Sequence, residues 1–299
     1  MSGPGCDAGC VLLDGRTFEY LDGGDPEGRG VIFHPGTPVT RLLGHWGHEA
    51  AVAAGVRLVS VSRPGYGGST PSTTPSLLGT GRDTAALAAA LGLEQYAVLG
   101  TSGGAPFAVA TAVADPRRVR AVGLVAGMGP WRLLDEPSDE YSEDLGYLAL
   151  LDDGDIAAAW AGMYQSVKQE MASLATLDDD ARVDAIFADN DSADGALAHD
   201  VRYRTLWAAN LALVIDRPDG YALDNLAWGG AWDVNPTDVA VPTMLWYGDA
   251  DREIPASYGR WYHECIDGSQ LVMIPDEAHL DVIDGHWPEI LAGLLHTWT

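Results

Sequence analysis

The chain has 299 residues, of which 47% are hydrophobic, and this share is large enough to exclude an intrinsically disordered chain. Its 43 acidic side chains against 17 basic ones give a net charge of −26, which excludes binding to nucleic-acid phosphates and to anionic membrane surfaces. No leader pattern and no membrane-spanning apolar run is visible. Because the three cysteines show no metal-type spacing, we expect a cytoplasmic protein.

Short apolar runs alternate with helical patterns along the first part of the chain. A hairpin with strands 11–13 and 17–21 is expected around Asp14-Gly15, after a loose tail that holds Cys6 and Cys10. Further strands are predicted at 31–33, 57–62, 97–100 and 119–125, separated by helices near 42–54, 77–91 and 106–114. Nearly continuous apolar strands between helices indicate a parallel sheet that is covered on both faces, which is an α/β fold.

This alternation stops after Ala126-Gly127, where the sequence turns polar and helical, and the strand pattern resumes at Pro242. Apolar residues from Ile156 to Leu174 recur at spacings of three and four, so they form one face of an amphipathic helix. A second helix is predicted at 195–215. We therefore predict a core domain made of residues 1–129 and 227–299, with a helical insertion over residues 130–226.

A serine lies between glycines where the apolar strand that ends near Leu99 meets a helix of small residues. The segment Gly100-Thr101-Ser102-Gly103-Gly104 matches G-x-S-x-G, in which a tight turn exposes the serine hydroxyl above the sheet. The residues two before and two after the serine have to be small, because strand and helix approach closely there. At a junction of strand and helix, the motif favours Ser102 as a nucleophile over a simple helix N-cap.

A serine nucleophile needs a histidine base and a carboxylate that orients the histidine. Asp249 and Asp251 follow a predicted strand at 243–247, and His279 follows another at 270–274. The order serine, acid, histidine is the one found with this type of nucleophile turn. Because the base has to be neutral, turnover is expected to rise with pH through roughly 6.5, the pKa of an ordinary imidazole.

Together these pieces resemble the α/β-hydrolase superfamily, in its serine-nucleophile branch with a helical cap, from about residue 11 to residue 298. The resemblance implies a mostly parallel, twisted sheet with helices on both faces. It assigns the acid to Asp251 rather than Asp249, through the pattern Gly-x-x-Asp followed by Ile254-Pro255. It also implies that the segment 63–69 is a glycine-rich turn which supports the nucleophile loop.

The resemblance further implies an oxyanion hole made by two backbone N–H groups. One belongs to Gly103, directly after the nucleophile, and the other to the loop after the strand at 31–33. There Gly36-Thr37-Pro38 matches the Gly-x-Pro part of the family pattern, and Thr37 is favoured over Gly36 as the donor. The predicted catalytic set is therefore Ser102, Asp251 and His279, with Thr37 and Gly103 as the oxyanion hole.

A serine at this position implies an acyl-enzyme, so the expected substrate is a carboxylic ester, lactone or related acyl bond of a small, apolar molecule. Five residues are predicted to line the pocket: His34, Met128, Trp131, Trp160 and Tyr164. We expect no cofactor, no metal and no macromolecular partner beyond a monomer or homodimer. Two alternatives stay open. One is a non-hydrolytic or C–C bond-cleaving enzyme with the same triad, and the other is a ligand-binding receptor or pseudoenzyme.

Overall fold

The computed structural model describes residues 5–131, 142–189, 191–192 and 195–298, and an eight-stranded sheet lies at its centre. The strands are β1 (Asp7–Leu13), β2 (Arg16–Gly24), β3 (Arg29–His34), β4 (Val56–Ser62), β5 (Tyr96–Thr101), β6 (Val119–Val125), β7 (Thr243–Gly248) and β8 (Gln270–Ile274). Their order in the sheet is β1-β2-β4-β3-β5-β6-β7-β8. In the described chain β2 runs antiparallel to β1 and β4, and the remaining neighbours are parallel, which confirms the predicted α/β fold.

Helices cover both faces of this sheet. The described helices are α1 (His48–Ala54), α2 (Leu77–Ala90), α3 (Ala105–Ala114), α4 (Ser142–Asp152), α5 (Ile156–Ala175), α6 (Asp179–Asp189), α7 (Val201–Asp216), α8 (Asp219–Gly229), α9 (Ala256–Cys265), α10 (His279–Asp284) and α11 (Trp287–Thr297). Side chains of α2, α3 and α9 pack in one core and those of α1, α10 and α11 in the other.

Strand β3 illustrates why both faces are buried. Its side chains alternate in direction, so that Val31 and Phe33 enter the core beneath α1 and α11, while Ile32 enters the core beneath α2 and α3. All three are almost completely buried. A strand that is apolar on both sides is stable only inside such a three-layer arrangement.

The prediction of a loose N-terminal tail around Cys6 and Cys10 is wrong. Strand β1 begins at Asp7 and pairs with β2 along its whole length, so that Cys10 lies within a strand and Cys6 is buried beside it. The sequence Asp7-Ala8-Gly9-Cys10 lacks the β-branched residues that mark a strand, and its pairing with β2 determines the conformation instead.

Helices α4 to α8 lie between β6 and β7, where the helical insertion was predicted. On the apolar face of α5, Met163, Val167 and Met171 are buried as expected, while Ile156 at the start of the helix is exposed. The predicted second helix begins at Val201 rather than at 195, because the Asp200 carboxylate accepts the free N–H groups of the first turn. Within the ranges given above, no helix combines the length and apolar character that crossing a membrane requires.

Candidate active site

Ser102 occupies a sharp turn between β5 and α3. Its φ is +49°, in the left-handed region that costs about 1–3 kcal/mol for a residue other than glycine. At Gly100, a Cβ atom would lie 2.7 Å from the carbonyl oxygen of Gly104 and 2.8 Å from Cα of Ala105, both backbone atoms. The expected requirement for small residues two positions from the serine is therefore confirmed. The close packing holds the strained turn in place.

The structure brings Ser102, His279 and Asp251 into one hydrogen-bonded series. Nε2 of His279 lies 3.0 Å from Oγ of Ser102, and Nδ1 lies 2.8 Å from Oδ2 of Asp251. Because an ionised carboxylate only accepts hydrogen bonds, Nδ1 carries the proton in the neutral imidazole and Nε2 is left to accept from the serine hydroxyl. Only 7% of Ser102 and 2% of His279 are exposed, so the series lies largely out of water.

Three separate loops supply these residues at the carboxyl ends of parallel strands. Ser102 follows β5, Asp251 follows β7, and His279 begins α10 after β8. Asp251 is fixed by its own loop, since its Oδ1 accepts the N–H groups of Glu253 at 3.0 Å and Ile254 at 2.8 Å. Asp249 is exposed and accepts the N–H of Asp276 at 2.7 Å, so Asp251 rather than Asp249 meets the histidine.

The loop after β3 lies directly against the nucleophile turn. A Cβ on Gly36 would be 3.1 Å from Cβ of Ser102, and a Cβ on Gly103 would be 3.3 Å from the backbone nitrogen of Thr37. The backbone of Thr37 and that of Gly103 therefore meet beside Ser102. Gly103 also precedes the first turn of α3, where backbone N–H groups favour negative charge.

Four of the five predicted pocket residues belong to, or pack against, the same large apolar core as α2, α3 and α9, and Met128 adjoins Ser102. The N–H of Met128 donates to the carbonyl oxygen of Ser102 at 3.0 Å. Trp131 packs edge-on against Trp228 of α8, with ring centres 4.6 Å apart. The rings of Trp160 and Tyr164 in α5 have their centres 5.5 Å apart, and both side chains pack on the cluster that contains Met128 and Trp131.

The placement of His34 differs from the prediction. Its imidazole is fully buried between the sheet and the helices, with Nε2 3.1 Å from Oγ1 of Thr111 and the ring stacked on Phe107. Burial, and then the charge of Arg63, lower the pKa of His34 well below its ordinary value. Alternation along β3 explains the difference, because His34 points to the same side as Ile32, into the core beneath α2 and α3.

Sequence reasoning missed an ion pair between Arg63, directly after β4, and Asp224 of α8. Nη2 of Arg63 lies 2.6 Å from Oδ2 of Asp224, and the side chains are 0% and 3% exposed. The same carboxylate accepts the hydroxyl of Thr37 at 2.7 Å. Asp224 lies in the largely apolar α8, but its partner cannot be read from that sequence, since the ion pair joins segments distant in the chain.

Comparison with known proteins agrees with the fold. The family model for the alpha/beta hydrolase fold matches residues 31–286 of this chain. The chain belongs to that family. It is 34% identical to the non-heme chloroperoxidase of Streptomyces lividans over 121 residues, which are 39% of this chain and 43% of that protein. The chain thus matches less than half the length of this relative.

Solved structures of other α/β-hydrolases superimpose over nearly the whole chain. The bromoperoxidase of Bacillus anthracis has a TM-score of 0.72 and 20% identity, covering 97% of this chain and 100% of that one. A thermophilic esterase from Thermogutta terrifontis has a TM-score of 0.68 and 18% identity, covering 98% of this chain and 100% of that one. At these identities the likeness shows the fold alone.

Three carboxylates surround the imidazole of His279 in this α/β-hydrolase. Oε1 of Glu253 is 3.8 Å from Nε2, on the side of Ser102, while Asp251 faces Nδ1 and Asp284 lies on the same helix. Burial lowers the pKa of His279, but the charges of Glu253, Asp251 and Asp284 together outweigh burial and raise the pKa to about 9. The expected value near 6.5 is therefore too low.

The first prediction concerns the contact between β5 and α3. Gly100→Ala places a methyl group against two backbone atoms, so we expect the free energy of unfolding to fall by about 1–3 kcal/mol. Gly146→Ala is the control, because Gly146 is exposed in α4 with no atom within 4 Å of its added Cβ, and it should gain about 0.5–1 kcal/mol. Urea denaturation measures both, and equal effects would contradict the packing argument.

The second prediction concerns pH. The protonated form of His279 cannot accept the serine proton, so kcat/KM for a neutral ester should rise with pH up to about 9. Glu253→Gln removes one of the surrounding charges and should move the midpoint of the profile to lower pH. Glu264→Gln, an exposed change of the same charge on α9, should leave the midpoint in place. A midpoint that does not respond to Glu253→Gln would refute this assignment.

Proposed function

We propose that this protein is a serine hydrolase that cleaves carboxylic esters, lactones or related acyl bonds of small, apolar molecules through an acyl-enzyme on Ser102. The observation that carries the proposal is the hydrogen-bonded series in which Nε2 of His279 lies 3.0 Å from Oγ of Ser102. A serine that serves only as a helix cap or in packing has no need of a buried histidine and carboxylate behind it.

In the proposed reaction His279 takes the proton of Ser102 while Oγ attacks the carbonyl carbon of the substrate. The negative charge that develops on the carbonyl oxygen is met by the N–H groups of Thr37 and Gly103. The imidazolium then protonates the leaving alkoxide, and the neutral imidazole activates a water molecule that releases the acid. Asp251 holds Nδ1 protonated throughout and stabilises the imidazolium.

The proposed substrate class follows from the nucleophile and its surroundings. A serine ester intermediate is an acyl group, which restricts the substrate to carbonyl compounds with a leaving group. The side chains of Met128, Trp131, Trp160 and Tyr164 belong to or pack on one apolar core, and Met128 adjoins the backbone of Ser102. They support a small, neutral and largely apolar acyl compound, and likeness in fold to an esterase agrees with this choice.

A second candidate function is favoured by the similarity to a chloroperoxidase. The same acyl-enzyme would be attacked by hydrogen peroxide instead of water, which frees Ser102 and releases a peroxycarboxylic acid. That acid would oxidise a halide ion by two electrons and be reduced to the carboxylic acid. Halide oxidation that requires both an acyl donor and peroxide, at a rate exceeding ester hydrolysis, would favour this candidate over the hydrolase.

The third prediction tests the nucleophile. Ser102→Ala removes the atom that forms the acyl-enzyme, so turnover of p-nitrophenyl butyrate should fall by about 10⁴-fold or more. The far-ultraviolet circular dichroism and the melting temperature serve as controls for folding. A folded variant with turnover near that of the wild type would refute the proposed function.

The fourth prediction separates the two aspartates. Asp251→Asn offers the wrong partner to Nδ1 and disfavours the productive tautomer, so kcat should fall by about 10³–10⁴-fold. Asp249→Asn is the matched control, because Asp249 accepts only from a loop N–H in the part of the site described here, and kcat should change little. Steady-state kinetics with the same ester measures both variants, and a reversed order would exclude Asp251 as the acid.

A further inference from the structure

A buried guanidinium holds the loop that follows β3. Arg63 donates from Nη2 to the carbonyl oxygen of Gly36 at 2.8 Å and from Nη1 to the carbonyl oxygen of Pro35. A third contact joins Nη2 to Oγ1 of Thr37 at 3.2 Å. Two successive carbonyl groups are therefore fixed by one planar side chain that is fully buried.

This anchoring, together with the N–H of Val39, which donates to the same Gly36 oxygen at 3.1 Å, determines where the next N–H group points. In a planar trans peptide, the C=O and the N–H point in opposite directions. Since the carbonyl of Gly36 is directed at Arg63, the N–H of Thr37 in the same peptide unit is directed away from Arg63. The nitrogen of Thr37 lies on the side of Gly103, where an added Cβ would approach it to 3.3 Å.

Asp224 makes this arrangement stable. A buried guanidinium without a counter-charge carries a desolvation penalty of several kcal/mol. Asp224 accepts from Nη2 at 2.6 Å and from Nε at 3.1 Å, and it also accepts from Thr37 Oγ1 at 2.7 Å and from the hydroxyl of Tyr66 at 2.9 Å. Because Asp224 belongs to α8, the helical insertion reaches into the loop beside the nucleophile.

We infer that Arg63 and Asp224 are positioning residues which orient the Thr37 N–H toward the developing oxyanion, so that the helical insertion forms part of the catalytic apparatus. The inference rests on the proposed function, since it gives a role to an oxyanion hole. In this view α8 does more than cover the site. Its carboxylate fixes the geometry of a donor that touches the substrate.

The test replaces the pair as a unit. Arg63→Met with Asp224→Leu removes both charges, which is often tolerated in a core because neither charge is left alone. We expect kcat for p-nitrophenyl butyrate to fall by about 10- to 100-fold with KM nearly unchanged, because a misdirected donor acts on the transition state. Arg63→Lys keeps the charge but lacks the planar fork, and it should also lower kcat. It serves as the test variant if the double variant does not fold.

The control removes an arginine–aspartate pair between β4 and β2, whose side chains are 20% and 24% exposed. Arg57 binds Asp22 at 2.6 Å and also donates to the carbonyl of Leu91, away from the proposed catalytic residues. Arg57→Met with Asp22→Leu should leave kcat unchanged.

A transition-state analogue distinguishes positioning from general loosening of the structure. Oγ of Ser102 adds to the carbonyl carbon of a trifluoromethyl ketone, and the serine proton moves to His279. The Thr37 N–H would stabilise the oxyanion that this addition forms. The affinity of the trifluoromethyl ketone should fall in parallel with kcat, while a methyl ketone of the same shape, which binds without adding, should keep its affinity.

Folded variants of Arg63 with wild-type kcat and wild-type affinity for the trifluoromethyl ketone would overturn the inference while leaving the hydrolase intact. If the wild-type protein shows no Ser102-dependent turnover and no ketone adduct, the proposed function fails and the inference fails with it. Parallel losses of kcat and ketone affinity, absent in the Arg57 and Asp22 control, would support both.

Discussion

The close contact between β5 and α3 is the constraint on which the rest of the site depends. It leaves no room for a Cβ at Gly100, and it holds Ser102 at a φ of +49° that an isolated chain would avoid. The hydroxyl is thereby raised above the carboxyl ends of the strands, where the loops after β7 and β8 deliver Asp251 and His279. Backbone packing presents the hydroxyl of Ser102, and its hydrogen bonds follow from that position.

The carboxylates around His279 raise the pKa of its imidazole. Asp251 orients the imidazole, yet Glu253 at 3.8 Å from Nε2 and Asp284 on the same helix favour the imidazolium as well. Such an environment favours the imidazolium over the neutral imidazole, and in the proposed reaction it would stabilise the charged intermediate of an acyl transfer. The raised pKa of His279 comes from these nearby carboxylates.

The sequence predicted the parts of the molecule that depend on local patterns. The sheet, the nucleophile turn at Ser102 and the loops that carry Asp251 and His279 each follow from a short stretch of residues next to an apolar strand. The direction of His34 could have been read from the alternation along β3, where Ile32 points the same way. The strand β1 could not have been predicted from the sequence, because its pairing with β2, and not the strand propensity of its own residues, holds it extended. Likewise Asp224 and Glu253 matter through contacts between distant segments, which no local pattern in a chain with 43 acidic residues distinguishes.

In the proposed function Ser102 carries an acyl group during turnover, and this group can be trapped. The protein would be mixed with p-nitrophenyl acetate, quenched in acid within the first turnovers, digested and analysed by mass spectrometry. We expect one acetyl group on the peptide that contains Ser102, formed as fast as p-nitrophenol is released in the first turnover. Rapid ester turnover with the acetyl group on another residue would contradict an acyl-enzyme on Ser102. The absence of any acetylated peptide, under conditions where deacylation is slow enough for one to accumulate, would contradict it as well.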